Sequence, residues 1–190
     1  VNPAKTSTAE TLEEAMMRLL PTAAESVRIS LAKLFDPVEV RLLETSVGPA
    51  SDITPGSAIH VGFHIGSFVG ARLVVAATDP DAARIGDILL HRAHTVPIPD
   101  QHARDALTEM ANIAASSFLS RLAAVSRLRL IPSIPEVLGV AALADSDAAL
   151  IAFSISARYA VTLADGVAHF ALTATPERRL MEALRTATVR

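Results

Sequence analysis

The sequence predicts an α+β fold: two pseudo-symmetric helix–three-strand–helix halves sharing an antiparallel-type sheet flanked by helices. Three observations carry this expectation. Long segments with apolar residues every third or fourth position alternate with short ones where they fall at every second position. The order of these segments repeats. A shift of 96 residues lays Gly70 on Gly166, Pro80 on Pro176, Asp81 on Glu177, Ile85 on Met181 and Ile88 on Leu184. The 190 residues suit a single domain, with halves at about 11–93 and 100–188 and residues 1–10 as a flexible polar lead-in.

In the first half, Thr11–Phe35 has helical periodicity that Pro21 is expected to break. This gives a short helix over Leu12–Leu20 and a second from Thr22, with Thr22 as N-cap and Glu25 completing a capping box. Val27, Leu31 and Leu34 line its buried face, and Asp36-Pro37 ends it. Val38–Ser46 reads as a strand and Gly48–Gly56 as a loop. Ile59, Val61, Phe63 and Ile65 alternate with His60, Gly62 and His64, a half-buried strand with its histidines on the wetter face. Gly66-Ser67 turns the chain into a returning strand over Phe68–Ala77. Asp79-Pro80-Asp81 then opens a helix through Ile85, Ile88 and Leu89 to about Arg92, with acids at its positive end. Thr95–Pro99 is a linker.

The second half begins with a long helix over about Asp100–Ser126. Arg127–Ile131 and a Pro-containing segment through Val140 follow. Ala149–Ala157 and Tyr159–Ala171 are expected to pair as a hairpin separated near Arg158, and a last helix to run from Thr175-Pro176-Glu177 to about Arg185.

Composition narrows the function. With 51% hydrophobic and 4% aromatic residues and no Trp, the core is aliphatic and stacking surfaces for bases are scarce. A net charge of −3 without a Lys/Arg cluster argues against nucleic acid. The absence of cysteine removes disulfides, thiolate catalysis and Cys-based zinc sites. The most apolar region, Val137–Leu163, is interrupted by Asp145, Asp147 and Arg158, so no membrane span is expected. VNPAKTSTAE lacks the apolar core of a signal peptide, and a soluble cytoplasmic protein is the expectation. His91, His94 and His102 lack the spacing of a helical metal motif, and His60 and His64 stand about 13 Å apart along a strand, too far to share an ion. No nucleophile elbow, phosphate-binding loop or dinucleotide fingerprint is present.

The long helix of the second half is more informative. At about 100° per residue, Leu107, Ala111, Ala114, Phe118, Leu122 and Val125 form one stripe. Asp105, Glu109, Asn112 and Ser116 cluster within about 60° on the opposite side. An acid and an amide thus stand one turn apart on an exposed face. A solvated face is the simplest account of any Glu-x-x-Asn. Here the pattern is longer: Asp105-x3-Glu109-x2-Asn112-x22-Pro135, which chance should give about once in a thousand chains of this length.

That spacing resembles the signature of the CheC/CheX/FliY family of chemotaxis phosphatases: an acidic residue or serine, x3, Glu, x2, Asn, x22, Pro. SVRISLAKLF resembles the family's opening helix, and GSFVGARLVVAATDPDAARIGDILL its glycine-marked hairpin and second helix. ALTEMANIAASSFLSRLAAV resembles its active-site helix, and LIPSIPEV the strand entry after it. Two family glycines are replaced, by Ala111 and Ser116. Both are small, which leaves room for close approach of a partner. The first half carries no Glu-x-x-Asn. The 96-residue shift puts Glu13 and Met16 at the pair's positions, and aligning the helix ends puts Arg18 and Pro21 there. A single-site, CheX-like member is expected.

The resemblance implies hydrolysis of the aspartyl phosphate of a CheY-like response regulator. Glu109 and Asn112 would be the catalytic residues, Asn112 positioning water and Glu109 gripping the regulator's lysine. Asp105 and Ser116 would be partner-binding, Asp105 adding a polar contact or capping the helix, and Pro135 would be structural. The chain would bind no cofactor or metal of its own, with Mg2+ on the regulator. A homodimer is the oligomer the resemblance suggests, with neither nucleic acid nor membrane as partner. The alternative is a non-catalytic, flagellar-switch-like scaffold module of the same fold.

Overall fold

The computed structural model describes residues 12–49, 58–66, 71–138, 153–177 and 180. In chain order these form α1 (Leu12–Leu34), β1 (Val40–Pro49), β2 (Ala58–Gly66), β3 (Ala71–Thr78), α2 (Asp79–Leu89), α3 (Gln101–Ser126), β4 (Ile131–Pro132), β5 (Glu136–Leu138), β6 (Phe153–Leu163) and β7 (Gly166–Pro176). The fold is α+β, with every strand pairing antiparallel.

The sheet order is β1-β6-β7-β3-β2-β4, with β5 following β4 along the same edge of β2. This order reads alike from either end. The central pair β7 and β3 joins the last strand of one half to the last of the other. Beyond it lie β6 and β2, and each outer strand is donated by the opposite half. Both outer edges carry the same irregularity. On β1 the register slips between Leu42 and Glu44, opposite Tyr159 and Arg158. On the other edge it slips between Pro132, paired with Ile65, and Glu136, paired with Gly62. Ile134 and Pro135 therefore stand opposite the single residue Phe63, as a β-bulge. Leu43 and Pro135 are 92 residues apart and Phe63 and Tyr159 are 96 apart, so the bulges are counterparts in the doubled plan.

Alternate residues of the inner strands face one core: Ile59, Val61, Phe63 and Ile65 from β2, Leu73 and Val75 from β3, Ile155, Ala157 and Tyr159 from β6, and Phe170 and Leu172 from β7. The helices close that core with Met16, Leu20, Val27 and Leu31 from α1, Ala82 and Ile85 from α2, and Leu107, Met110, Phe118 and Leu122 from α3. Tyr159 stacks on Phe170 with ring centroids 4.8 Å apart, and its hydroxyl donates to the Ala24 carbonyl of α1 at 3.1 Å. Ser117 of α3 donates to Ser30 of α1 at 2.8 Å, tying the two long helices together.

The structure changes several local expectations. α1 is continuous through Pro21, so Thr22 is not an N-cap and Glu25, instead of completing a capping box, pairs with Arg28. Pro21 lies on the exposed side of the helix, while Met16, Leu20, Ala23 and Ala24 stay buried on either side. Leu34, at the helix end, is 37% exposed. His60 is only 1% exposed, because β2 is an inner strand and His60 is walled in between Ala76 and Leu138. β6 runs unbroken through Arg158, whose flanking residues Ala157 and Tyr159 are both core. The turn comes at Ala164-Asp165, where Gly166 takes a positive φ of 149° that suits glycine. β7 continues to Pro176, so Thr175-Pro176 belongs to a strand; Leu180 is helical, and the remainder of the expected last helix lies outside the described residues. So do residues 1–10, most of the Gly48–Gly56 loop, the Ser67 turn and the stretch from Gly139 to Ala152.

Tyr159→Phe keeps the stacked ring and deletes only the bond to α1. It should cost about 1 kcal/mol, read as a lower Tm. Burial raises the Tyr159 hydroxyl pKa. That group's share of stability is therefore complete below its unfolded pKa of about 10 and is lost above it, and Tyr159→Phe should lessen the alkaline loss.

Candidate functional site

α3 is placed by contacts at its start and on both flanks. Asp100 is its N-cap, accepting from the Ala103 N–H at 2.8 Å. Arg92, just beyond α2, reaches the other oxygen of Asp100 at 2.8 Å and also donates to Asp87. Asp87 is 4% exposed and takes a second partner, His94 Nδ1, at 2.8 Å. This chain of charges fastens α2 to the first turn of α3. The backbones are close as well: a Cβ on Gly86 would lie 2.7 Å from Ala103 Cα, so only glycine fits that crossing. Hydrogen bonds from Arg92 first, then from the Ala103 N–H, hold the Asp100 carboxyl down at about 2. His94 is thus occupied by Asp87, and among the described residues no three His, Cys, Asp or Glu side chains gather as for a metal.

Beyond that clamp, α3 divides as its periodicity predicts. Leu107, Ala111, Ala114, Phe118 and Leu122 are buried; Val125 is half-exposed, near the end of the helix. Asp105 and Glu109 are exposed, and Asn112 and Ser116 half-buried. Asp105 does not cap the helix, since Asp100 does; its carboxylate accepts from Gln101 Nε2 at 2.8 Å one turn earlier. Among the described residues, neither the Glu109 nor the Asn112 side chain has a hydrogen bond or ion pair. Ala111 is fully buried, so its small size serves the core and offers nothing to a partner. Ser116 remains on the outward side.

Asn112 lies at one border of this face. On its side Ala115 and Leu119 are nevertheless buried, whereas Ser117 turns toward α1. β4 packs against α3. Pro135 follows in the same segment, and the x22 spacing has a geometric basis. From Asn112 to Ser126 the helix runs about 21 Å outward. The nine residues to Pro135 can span up to about 30 Å when extended, enough to return alongside. In the bulge, the N–H that proline lacks is not missed by the ladder.

The first half has no comparable face. An offset of 91 residues lays Met16, Leu20, Ala23, Ala24, Val27 and Leu31 on Leu107, Ala111, Ala114, Ala115, Phe118 and Leu122, all buried. It agrees within a residue with the offset of the two bulges, and it puts Arg18 and Pro21 where α3 has Glu109 and Asn112.

No protein-family model and no curated protein matches the chain. Solved structures do. FliY from Thermotoga maritima aligns with a TM-score of 0.65 at 12% identity, covering 94% of this chain and 96% of that one. The FliG–FliM complex from H. pylori gives 0.66 at 11% identity, with 92% and 97% covered. The CheX–CheY–BeF3–Mg2+ complex from Borrelia burgdorferi gives 0.57 at 13% identity, with 85% and 97% covered. The fold is thus that of the FliM and FliY domains, CheX and CheC-like proteins.

Replacing Arg92 with Met should lower Tm and speed amide exchange in the first turn of α3. Because the Asp100 pKa is depressed, its stabilisation is present above pH about 4 and fades as pH falls toward 2. The Arg92→Met protein should lose that part of the acid sensitivity, a difference measurable by thermal unfolding at pH 5 and pH 2.5.

Proposed function

We propose that this chain is a phosphatase for the aspartyl phosphate of a CheY-like response regulator, with Glu109 and Asn112 as its catalytic residues. The observation that carries this is the state of the pair: one turn apart, turned outward, free of partners among the described residues, on a helix held by α1, α2 and β4. An exposed acid and a half-buried amide with no hydrogen-bond or ion-pair partner among the described residues suit recognition and water positioning. The presence of a CheX–CheY complex among the structural neighbours supports the same reading.

An acyl phosphate is already activated, and its Mg2+ and stabilising lysine belong to the regulator. The helper therefore has only to complete the geometry. Asn112 can both accept from and donate to a water, holding it in line with phosphorus without titrating near neutral pH. Glu109, one turn nearer the N-terminus, pairs with the regulator's lysine and sets the register between the two proteins. Asp105 and Ser116 extend the contact along the same face, and Pro135 holds the neighbouring segment in place. Mg2+ enters with the substrate.

A scaffold role is the second reading. It is favoured by the higher TM-scores to FliY and to FliM in its FliG complex, and by Ser116 in place of glycine on the outward side. The two readings part in one experiment. Purified protein should accelerate phosphate loss from a cognate regulator in Mg2+. Asn112→Ala should lose roughly a hundredfold in rate, about 3 kcal/mol of barrier, with an unchanged Tm. Binding without acceleration, indifferent to the Glu109→Ala/Asn112→Ala double change, would establish the scaffold instead.

A further inference from the structure

We propose that the opening between the ends of β3 and β7 binds a small zwitterion, a free α-amino acid; the proposal is independent of the phosphatase reading. The ladder between these two strands ends at Ala76 opposite Ala171. Each strand nevertheless runs on beside its other neighbour. Ala77 and Thr78 pair with Ile59 and Ala58 of β2, while Phe170 and His169 pair with Tyr159 and Ala160 of β6. β3 and β7 thus part, and a cavity of about 220 Å³ lies there, lined by residues 76–78 and 169–171 together with Asp81 and Arg158. In antiparallel pairing, successive residues turn their N–H and C=O to opposite neighbours. One of Ala77 and Thr78, and one of His169 and Phe170, therefore turns main-chain groups into the opening beyond the last rung.

The walls of the cavity carry opposite charge. Asp81 stands in the first turn of α2, just after β3. One of its oxygens accepts the Thr78 hydroxyl at 2.9 Å, and the other has no partner among the described residues. On the far wall are Arg158, paired with Ala171 from the next strand, and the exposed imidazole of His169. Arg158 meets Glu44 at 3.6 Å, a loose contact between two exposed groups, and His169 has no side-chain partner among the described residues. Carboxylate and guanidinium therefore line one cavity without pairing with each other, an arrangement that matches a ligand carrying both charges. The carboxylate of an amino acid would accept from Arg158 and His169, and its ammonium would donate to Asp81. Asp81 disfavours phosphate and other dianions, as Arg158 disfavours a bare amine. At about 30 Å³ for each water-sized group the cavity holds about seven, so the amino acid is a small one such as serine or alanine.

Calorimetric titration and thermal unfolding test this with L-serine, L-alanine, acetate, methylamine and inorganic phosphate, on the wild type, Arg158→Gln, Asp81→Asn and Glu44→Gln. L-Serine or L-alanine should bind saturably and raise Tm. Acetate and methylamine, with one charge each, should bind at least about tenfold more weakly, and Arg158→Gln and Asp81→Asn should each lose about tenfold or more in affinity for the amino acid. Glu44→Gln, which relieves Arg158 of a competing carboxylate, should bind at least as well as the wild type. Absence of saturable binding by both amino acids would overturn the proposal, as would binding that neither Arg158→Gln nor Asp81→Asn weakens. Phosphate bound more tightly than either amino acid would make this an anion site and overturn it too.

Discussion

The antiparallel pairing of β3 with β7 is the contact on which the rest of this molecule depends. It runs from Ala71 opposite Pro176 to Ala76 opposite Ala171 and makes one sheet of two halves. Because each half then receives its outer strand from the other, neither can bury its own helix alone. α1 and α3 share a single core over that sheet, tied by Ser30 and Ser117 and by Tyr159 reaching up to Ala24. A surface built on α3 is thus supported by residues from the whole chain.

Doubling the scaffold did not double the surface. The two long helices bury matching positions, and both outer edges carry a bulge at the corresponding place. What differs is the outward side. α3 has an acid and an amide without partners among the described residues, while α1 has a cation and a proline at the corresponding positions. α1 spends its exposed side on internal pairing, such as Glu25 with Arg28. On α3 Asp105 pairs with Gln101, but Glu109 and Asn112 have no side-chain partner among the described residues, and the helix is held at its start by Arg92, Asp87 and Asp100. Core positions answer to packing and are alike in the two helices, while the outward positions differ.

Much of this was legible in the sequence, and the exceptions share a cause. The limits of α3 and the start of α2 were readable because local signals decide them: unbroken periodicity along α3, and Pro80 with the acids in the first turn of α2; the end of α2 comes at Leu89, ahead of the expected Arg92. The outward set Asp105, Glu109, Asn112 and Ser116 followed from helical angle alone. Pro21 misled because its local cost is outweighed by the buried stripe on both sides of it. Arg158 looked like a break because a charge on the open face of a strand was read as a turn, while Asp165-Gly166, the true turn signal, was passed over. His60 could not be placed without knowing which strands flank it. The bulge at Ile134-Pro135 was likewise invisible, since a bulge exists only in the register between two strands. Misreadings therefore arose where tertiary packing or pairing, rather than the local chain, sets the outcome.

The central claim is that α3 alone carries the working face, with Glu109 against the regulator's lysine. Cross-linking tests it most directly, with Glu109→Cys mixed with a cognate regulator whose active-site lysine is replaced by cysteine, and Arg18→Cys at the corresponding place on α1 as control. The account predicts rapid disulfide formation from position 109 and none above background from position 18. Equal cross-linking from both helices, or none from either, would contradict it.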